Sequence, residues 1–472
     1  MKKLLIIPIL AFSLFSCDSH FSEPTNVRDL NYTFSNGSAV MAWLADSYNY
    51  MPNSFFCTLT ATVDYAENDW KWSNAYIMMS DEADLNTTRE CYKSFRMNLG
   101  DWNASEGGFG EKWVPLYQQI RHLHVFLDNV KVVPGQKEID SQDKVEALKV
   151  EARFLIAYFH TLLFEQFGPI PIIRGAVDVN TPTEELKVER NSVDEVVDWL
   201  DTELLSIANA LPKTITNDFY GAKPTQAAAL AVRARLLLYA ASPLFNSPDN
   251  YISLREFYTL ANRDGKRLFP QNYDETKWKR AADAAKLLID TQTQHELMGA
   301  TAEGVPNTFE DAYKYYRSVF TEPMNKEVLF ARSLMVWTNW TDFDEYLQTA
   351  CPKQYGAGGM QGITQKLIDA FYLDDGTQAE EGNPHYDETG FTTGRDQITL
   401  NKLIAKDDYK IDEVYNMYQN REARFYASVF FNGRKWESEN AKLNGVVQPA
   451  DFMLGGLSGG PGYVPATGVM PY

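Results

Sequence analysis

Apolar residues recur at steps of three and four positions through much of the chain, which is the periodicity of an amphipathic helix. One series runs from Trp113 to Val130 and a longer one from Val145 to Phe167. The longer series stops at Gly168-Pro169, where glycine tolerates a left-handed backbone and proline cannot continue a helix. The pattern therefore predicts two long helices over these segments.

Capping residues and composition predict three further helices. Ser192 and Glu195 have the spacing of a capping box, so a helix is expected from there to Leu211. The segment 224–241 is rich in alanine and leucine, which favour helix. Thr276 is expected to cap a last helix. The predicted inward face of that helix consists of Trp278, Ala281, Ala282, Ala285 and Ile289.

The predicted helices come in pairs, which indicates a mostly α fold with a tetratricopeptide-like helical scaffold. Their spacing is irregular, so no strict repeat of about 34 residues is expected. Long connections at 249–277 and 335–364 predict long irregular loops. Weaker patterns at 327–335 and 425–431 predict a few short strands.

The amino-terminal residues have the features of an export signal. A basic start is followed by an apolar run from Leu4 to Phe15, which is shorter than the roughly 20 residues of a membrane-spanning helix. Ser16 is a small residue directly before Cys17, as cleavage of a lipoprotein signal requires. We therefore predict a signal peptide at 1–16 and lipidation of Cys17, with ordinary secretion as the alternative.

The remaining chain divides by composition. Residues 17–36 are polar and are predicted to be a lipidated tether, and residues 37–472 a single domain. Within it, 37–300 is expected to be mainly helical scaffold and 301–472 a loop-rich, ligand-facing part. Residues 455–472 hold six Gly and three Pro and would not close a helical stack. We therefore expect the C-terminal part of the domain to be missing from the sequence.

Charge and cysteine usage narrow the classes of partner. With 44 Lys and Arg against 63 Asp and Glu, the net charge is −19, which repels nucleic acid. Three cysteines besides Cys17 do not make a complete disulfide framework. Either Cys57 and Cys91 pair, or these two and Cys351 are buried free thiols.

Three short motifs resemble a catalytic serine site, a zinc site and a calcium site. The first two lack other residues that such sites require. Ser458 lies in a nucleophile-elbow pattern, but Pro461-Gly462 follows it and no histidine comes later. His295-Glu296 begins like a zinc-protease helix and lacks the second histidine. The acidic loop 81–84 is either solvated or a calcium site, and we assign no calcium ligands. The sequence thus predicts no catalytic residue, no metal ligand and no other cofactor.

Aromatic residues are concentrated in two segments predicted to be loops. An exposed ring covers the C–H face of a sugar, while amide or charged groups nearby bond its hydroxyls. The alternative is that these rings fill the core. The predicted ligand-binding residues are Trp70, Trp72 and Trp102 from the first segment and Trp337, Asn339, Trp340 and Tyr355 from the second.

Five blocks of residues, in order, carry a resemblance to a known family. They are 151–158 with 166–171, then 224–241, 325–331, 367–371 and 420–426. Behind a lipoprotein signal, these blocks resemble the SusD/RagB-like glycan-binding lipoproteins of Gram-negative outer membranes. Arg153, Arg233 and Arg424 within them are expected to brace helices rather than to touch a ligand. Similar proteins continue past the last block with further helices that are absent here.

The resemblance implies a function and a location. It implies a non-enzymatic protein, lipid-anchored in the outer membrane and facing the cell surface. It also implies two partners: a glycan on the loop-rich face, and a SusC-like TonB-dependent transporter that receives the glycan. Two alternatives remain, a glycoside hydrolase and a helical protein-binding adaptor without glycan affinity.

Overall fold

The structure is a computed structural model. It describes residues 29–52, 79–85, 98–100, 112–178, 180–215, 223–246, 255–300, 308–322, 325–331, 361–393, 413–432, 442–443, 446–447 and 469–471. Within these ranges the chain forms twelve α-helices and eight short strands. The predicted mostly α fold is therefore confirmed.

The helices lie mainly in the first two thirds of the chain. They are α1 (Leu30–Phe34), α2 (Gly37–Tyr48), α3 (Trp113–Asn129), α4 (Gln142–Phe167), α5 (Val193–Ala210), α6 (Gln226–Ala241), α7 (Pro243–Asn246), α8 (Arg255–Thr259), α9 (Thr276–Thr291), α10 (Phe309–Thr321), α11 (Gln365–Ala370) and α12 (Ala423–Ser428).

The strands are two or three residues long and pair two by two. They are β1 (Ala83–Leu85), β2 (Gln361–Ile363), β3 (Phe391–Thr393), β4 (Glu413–Tyr415), β5 (Val429–Phe431), β6 (Lys442–Leu443), β7 (Val446–Val447) and β8 (Val469–Pro471). The antiparallel pairs are β1 with β2, β3 with β4, β5 with β8 and β6 with β7.

Local signals set the ends of several scaffold helices, and two of them, at Gly168 and Ser192, are as predicted. Helix α4 ends at Gly168, whose φ of 67° is the left-handed backbone expected of a glycine stop. Ser192 and Glu195 form the capping box at the start of α5. Thr225 accepts a hydrogen bond from the backbone N–H of Ala228 and so caps α6.

Neighbouring helices stack to form the scaffold. Helix α2 packs on α3, α3 on α4, α4 on α5, α5 on α6, and α6 on α9. The centre of this stack is α4, in which Phe154, Phe159 and Phe164 are fully buried. Burying one such side chain stabilises the fold by roughly 1.5–3 kcal/mol. The first hydrophobic core therefore belongs to the helical scaffold.

Arginines join the scaffold helices, as predicted for two of the three. Arg153 on α4 pairs with Glu203 on α5 at 2.8 Å, and Arg233 on α6 pairs with Asp201 on α5 at 2.5 Å. Arg424 instead pairs with Glu422, immediately before its own helix, at 2.7 Å. It does not join two helices, and the prediction for Arg424 was wrong.

The predicted inward face of α9 was also wrong in part. Thr276 is the first helical residue and not the cap, and Trp278 and Ile289 are 41% and 75% exposed. Ala282 is exposed as well. The buried residues are Lys277, Ala281 and Ala284. The Lys277 ammonium reaches Asp194 on α5 at 2.7 Å, and Ala281 and Ala284 on the same side of α9 pack in the scaffold core.

A second hydrophobic core lies beyond the scaffold. It consists of Ala83, Tyr313, Ile363, Ile368, Tyr418, Ala423, Phe425, Tyr426, Ala427, Val429 and Phe431. The strand predicted at 425–431 is therefore half right, since α12 extends to Ser428 before β5 begins. The described part of the strand predicted at 327–335 has no strand conformation.

Candidate functional site

The seven predicted ligand-binding residues lie outside the described residues. These are Trp70, Trp72, Trp102, Trp337, Asn339, Trp340 and Tyr355. Cys17, Cys57, Cys91, Cys351 and Ser458 also lie outside them. The predicted site and the predicted lipidation therefore stay predictions, and the structure describes the framework to which the two aromatic segments are attached.

That framework is the ladder of β1 and β2. The segment with Trp70 and Trp72 precedes β1, and the segment with Trp337 to Tyr355 precedes β2. In the antiparallel register Ala83 faces Ile363, and Leu85 faces Gln361. The two segments therefore join the ladder at its opposite ends, about 7 Å apart at strand spacing of roughly 3.4 Å per residue. Two segments distant in sequence thus lead into one short ladder from its opposite ends.

Polar contacts reinforce the ladder at its β1 entry. The Thr364 hydroxyl donates to the Asp81 carbonyl at 2.5 Å, and the Thr364 N–H donates to the Glu82 carbonyl at 3.0 Å. The Asp81 carboxylate also pairs with Lys366, which lowers the pKa of Asp81. Both side chains are exposed, so this pair adds little stability.

The same contacts bear on calcium binding by the acidic loop. Asp81, Glu82 and Asp84 are all exposed, and the Asp81 carboxylate already has an ammonium partner. Among the described residues, no group of three or more His, Cys, Asp and Glu is arranged to hold a metal ion.

A cavity of about 450 Å³ runs along α10. This volume is within the roughly 300–1,000 Å³ of small-molecule sites. Among the described residues, its lining is one face of α10 and consists of Glu310, Tyr313, Lys314, Arg317, Ser318 and Thr321. Hydroxyl, ammonium, guanidinium and carboxylate groups therefore face one space, and together they both donate and accept hydrogen bonds.

The arginine in this cavity is held in place by an aromatic ring. Arg317 Nη1 donates to the Tyr313 hydroxyl at 3.0 Å, and its guanidinium lies over the Tyr313 ring at 5.3 Å. Tyr313 is itself buried in the second core. A donor fixed in this way loses little freedom on binding a ligand.

This cavity was not predicted from the sequence. The spacing of Phe309, Tyr313, Tyr316 and Phe320 indicates an apolar face of α10, and of these residues Tyr313 lines the cavity. Tyr313 shares the second core with Ala83 of β1 and Ile363 of β2. The cavity and the β1–β2 ladder are therefore built on the same core.

In the described part of the chain, no helix is both long enough and apolar enough to span a membrane.

Two family models match the chain. One, described as "Starch-binding associating with outer membrane", matches residues 38–238. The other, described as "SusD family", matches residues 326–467. The two segments together take up more than two thirds of the sequence. No curated protein matches the chain.

Solved structures with the same fold include three similar proteins. The protein BT4246 is 20% identical with a TM-score of 0.67, and the match covers 92% of this chain and 72% of that one. The SusD-like protein BF3747 from Bacteroides fragilis is 18% identical with a TM-score of 0.61, covering 94% and 69%. The SusD-like carbohydrate-binding protein BF0978 from the same species is 18% identical with a TM-score of 0.57, covering 93% and 68%.

The helical scaffold, the two matching family models and the shared fold agree with one another. This chain belongs to the SusD family.

Proposed function

We propose that this protein is a lipid-anchored, cell-surface glycan-binding protein of the outer membrane. It captures oligosaccharide or polysaccharide and delivers it to a SusC-like TonB-dependent transporter. The observation that carries the proposal is the polar cavity along α10, which is built on the same core as the β1–β2 pair. The family model described as starch-binding and associated with the outer membrane supports the same class of ligand and location.

In the proposed mode of binding, aromatic faces and hydroxyl-bonding groups act together. The rings of Trp72, Trp102, Trp337 and Trp340 would cover the C–H faces of successive sugars. In the cavity, Lys314 and Arg317 would donate to sugar oxygens, while Glu310 would accept from sugar hydroxyls. Rigid rings lose little conformational entropy, which favours binding of a flexible chain.

The proposal assigns binding without bond cleavage. Glycoside hydrolysis uses two carboxyl groups on opposite sides of the scissile bond, roughly 5–9.5 Å apart. The described lining of the cavity contains one carboxylate, that of Glu310. Its arrangement suits hydroxyl recognition better than acid and base chemistry.

The test is calorimetry of the full chain against a panel of oligosaccharides and their polysaccharides. Replacing Trp337 and Trp340 by Ala should raise the Kd at least about 10-fold, equivalent to about 1.4 kcal/mol for the two rings. Trp278→Ala is the matched control, since Trp278 is 41% exposed on α9, within the scaffold. This variant should bind as the unaltered protein does.

Two outcomes would contradict the proposal. Unchanged affinity after replacing Trp72, Trp102, Trp337 and Trp340 would refute the predicted site. Release of reducing sugar that disappears with a single Asp or Glu substitution would favour the hydrolase. The transporter partner is tested separately, by co-purification of a TonB-dependent barrel from outer membranes with the lipidated protein.

A further inference from the structure

The β3–β4 pair carries two aromatic rings on its surface. Phe391 and Tyr415 are cross-strand partners, with ring centroids 4.2 Å apart and ring planes tilted by 42°. They are 41% and 36% exposed. The two rings pack on each other, and each leaves part of its apolar surface open to solvent.

Packing from beneath holds the two rings in position. Tyr415 contacts Tyr418 with ring centroids 6.3 Å apart, and Tyr418 is 5% exposed within the second core. Phe391 follows Gly390, whose φ of 81° makes the turn into β3. The rings are therefore fixed by the fold before any ligand arrives, which lowers the entropy lost on binding.

Polar groups lie beside the rings. The Asn416 side-chain amide donates to an Asp387 carboxylate oxygen at 3.0 Å and to the Thr389 carbonyl at 2.7 Å. The Thr389 N–H donates to the other Asp387 oxygen at 3.1 Å. Asp387 and Thr389 are exposed, so their oxygens also face solvent. A carboxylate oxygen accepts more than one hydrogen bond and would bond sugar hydroxyls.

The local charge restricts the kind of sugar. Residues 372–393 contain six carboxylates and neither lysine nor arginine, while the buried Arg421 lies over the Tyr386 ring at 5.0 Å. The one histidine, His385, lies 3.7 Å from Asp375. Repulsion over a Debye length of about 8 Å would disfavour uronic acids and sulfated sugars at this surface.

We propose that Phe391 and Tyr415 form a second carbohydrate-binding surface, separate from the predicted aromatic segments, that takes neutral sugar units. It rests on the proposed function, since it assumes that the protein binds glycans. The second surface would contact a long glycan that is already bound at the first site. The second contact is then intramolecular, and its high effective concentration raises the overall affinity.

The experiment is calorimetry of the full chain with maltohexaose, cellohexaose, xylohexaose and mannohexaose, with polygalacturonate as the anionic probe. The ring variant is Phe391→Ile with Tyr415→Ile, because isoleucine keeps strand propensity and removes the flat face. With a neutral hexasaccharide that the protein binds, this variant should bind one hexasaccharide per protein where the unaltered protein binds two. Tyr273→Ile is the control, since Tyr273 is a 54% exposed ring in the connection before α9. Circular dichroism confirms that each variant is folded.

The outcomes separate this inference from the proposed function. If the ring variant binds every neutral sugar as the unaltered protein does, the second surface is refuted and the proposed function is unaffected. Equal or tighter binding of polygalacturonate at the rings would refute the neutral class. If replacing Trp72, Trp102, Trp337 and Trp340 changes nothing while the ring variant loses binding, the predicted loop site fails and the second surface stands. Absence of binding to any glycan overturns both.

Discussion

His160 on α4 makes the stability of the scaffold depend on pH. The side chain is fully buried, and its Nδ1 donates to the Ile156 carbonyl at 2.8 Å. Its Nε2 accepts from the Ile173 N–H at 3.2 Å. His124 Nε2 donates to the carbonyl of the same Ile173 at 3.1 Å. Two histidines thus bond the backbone N–H and the backbone carbonyl of one residue, Ile173, and His160 accepts its bond only when it is neutral.

The environment of His160 opposes its protonation. Burial lowers the pKa of His160 from its ordinary 6.5 to about 4, against the opposing effect of its bond to Ile156. His124 and Arg174 also lower it, and the rings of Tyr117 and Trp199 pack edge-on against it. Water is therefore excluded from both ring nitrogens, and a charge there would be poorly solvated.

The size of the effect follows from this difference in pKa. Above pH 6.5 the imidazole is neutral in both the folded and the unfolded chain. As the pH falls from 6.5 to about 4, the unfolded chain binds a proton and the folded chain does not. At about 1.4 kcal/mol per unit, the free energy of unfolding falls by about 3 kcal/mol over this window. The loss levels off once the folded chain is protonated too.

The test is His160→Gln, followed by urea unfolding at several pH values between about 7 and 4. Glutamine also donates and accepts, but it does not titrate. The unaltered protein should lose about 3 kcal/mol more than the variant over this window. Thr161→Val is the control, since it disrupts the bond from the buried Thr161 hydroxyl to Ala157 without removing a titrating group. Parallel loss of stability in the protein and in His160→Gln would refute the reasoning.

Two further predictions concern the carboxyl-terminal end of α4 and the amino terminus of the protein. Gly168→Ala should lower the free energy of unfolding by about 1–3 kcal/mol, because φ is 67° and the new Cβ would lie 3.4 Å from Phe245 and Phe269. Gly175→Ala, where nothing lies within 4 Å, should be nearly neutral in the same urea unfolding. Cys17→Ala should abolish labelling by radioactive palmitate and move the protein out of the membrane fraction; membrane retention with full labelling elsewhere would contradict Cys17 as the anchor.

Helix ends could be predicted because their causes lie within a few residues. The capping box of Ser192 and Glu195 and the stop at Gly168 each depend on neighbours in sequence. The orientation of α9 could not be predicted in the same way. The side of α9 that lies inward packs on residues distant in sequence, and its Lys277 pairs with Asp194, 83 positions earlier. The apolar pattern through Trp278 and Ile289 predicted a different side, and both residues are exposed.

The β1–β2 ladder and the α10 cavity were even harder to predict from the sequence. Strands of three residues carry almost no periodic signal, and the Thr364 contact with Asp81 joins positions 283 apart. The cavity along α10 likewise arises from one helix face within a folded environment. The composition indicated which residue types are suited to bind a sugar. Which elements lie together depends on the fold and could not be read from composition.

The pairing of β1 with β2 also sets an order of events during biosynthesis. Helices α2 to α6 contact their neighbours in sequence, so they are able to fold while the chain is still emerging. Ala83 must wait for Ile363 before its strand has a partner. Until then the residues of the second core expose apolar surface. A chaperone would therefore stay bound longest to the part of the nascent protein that forms the second core.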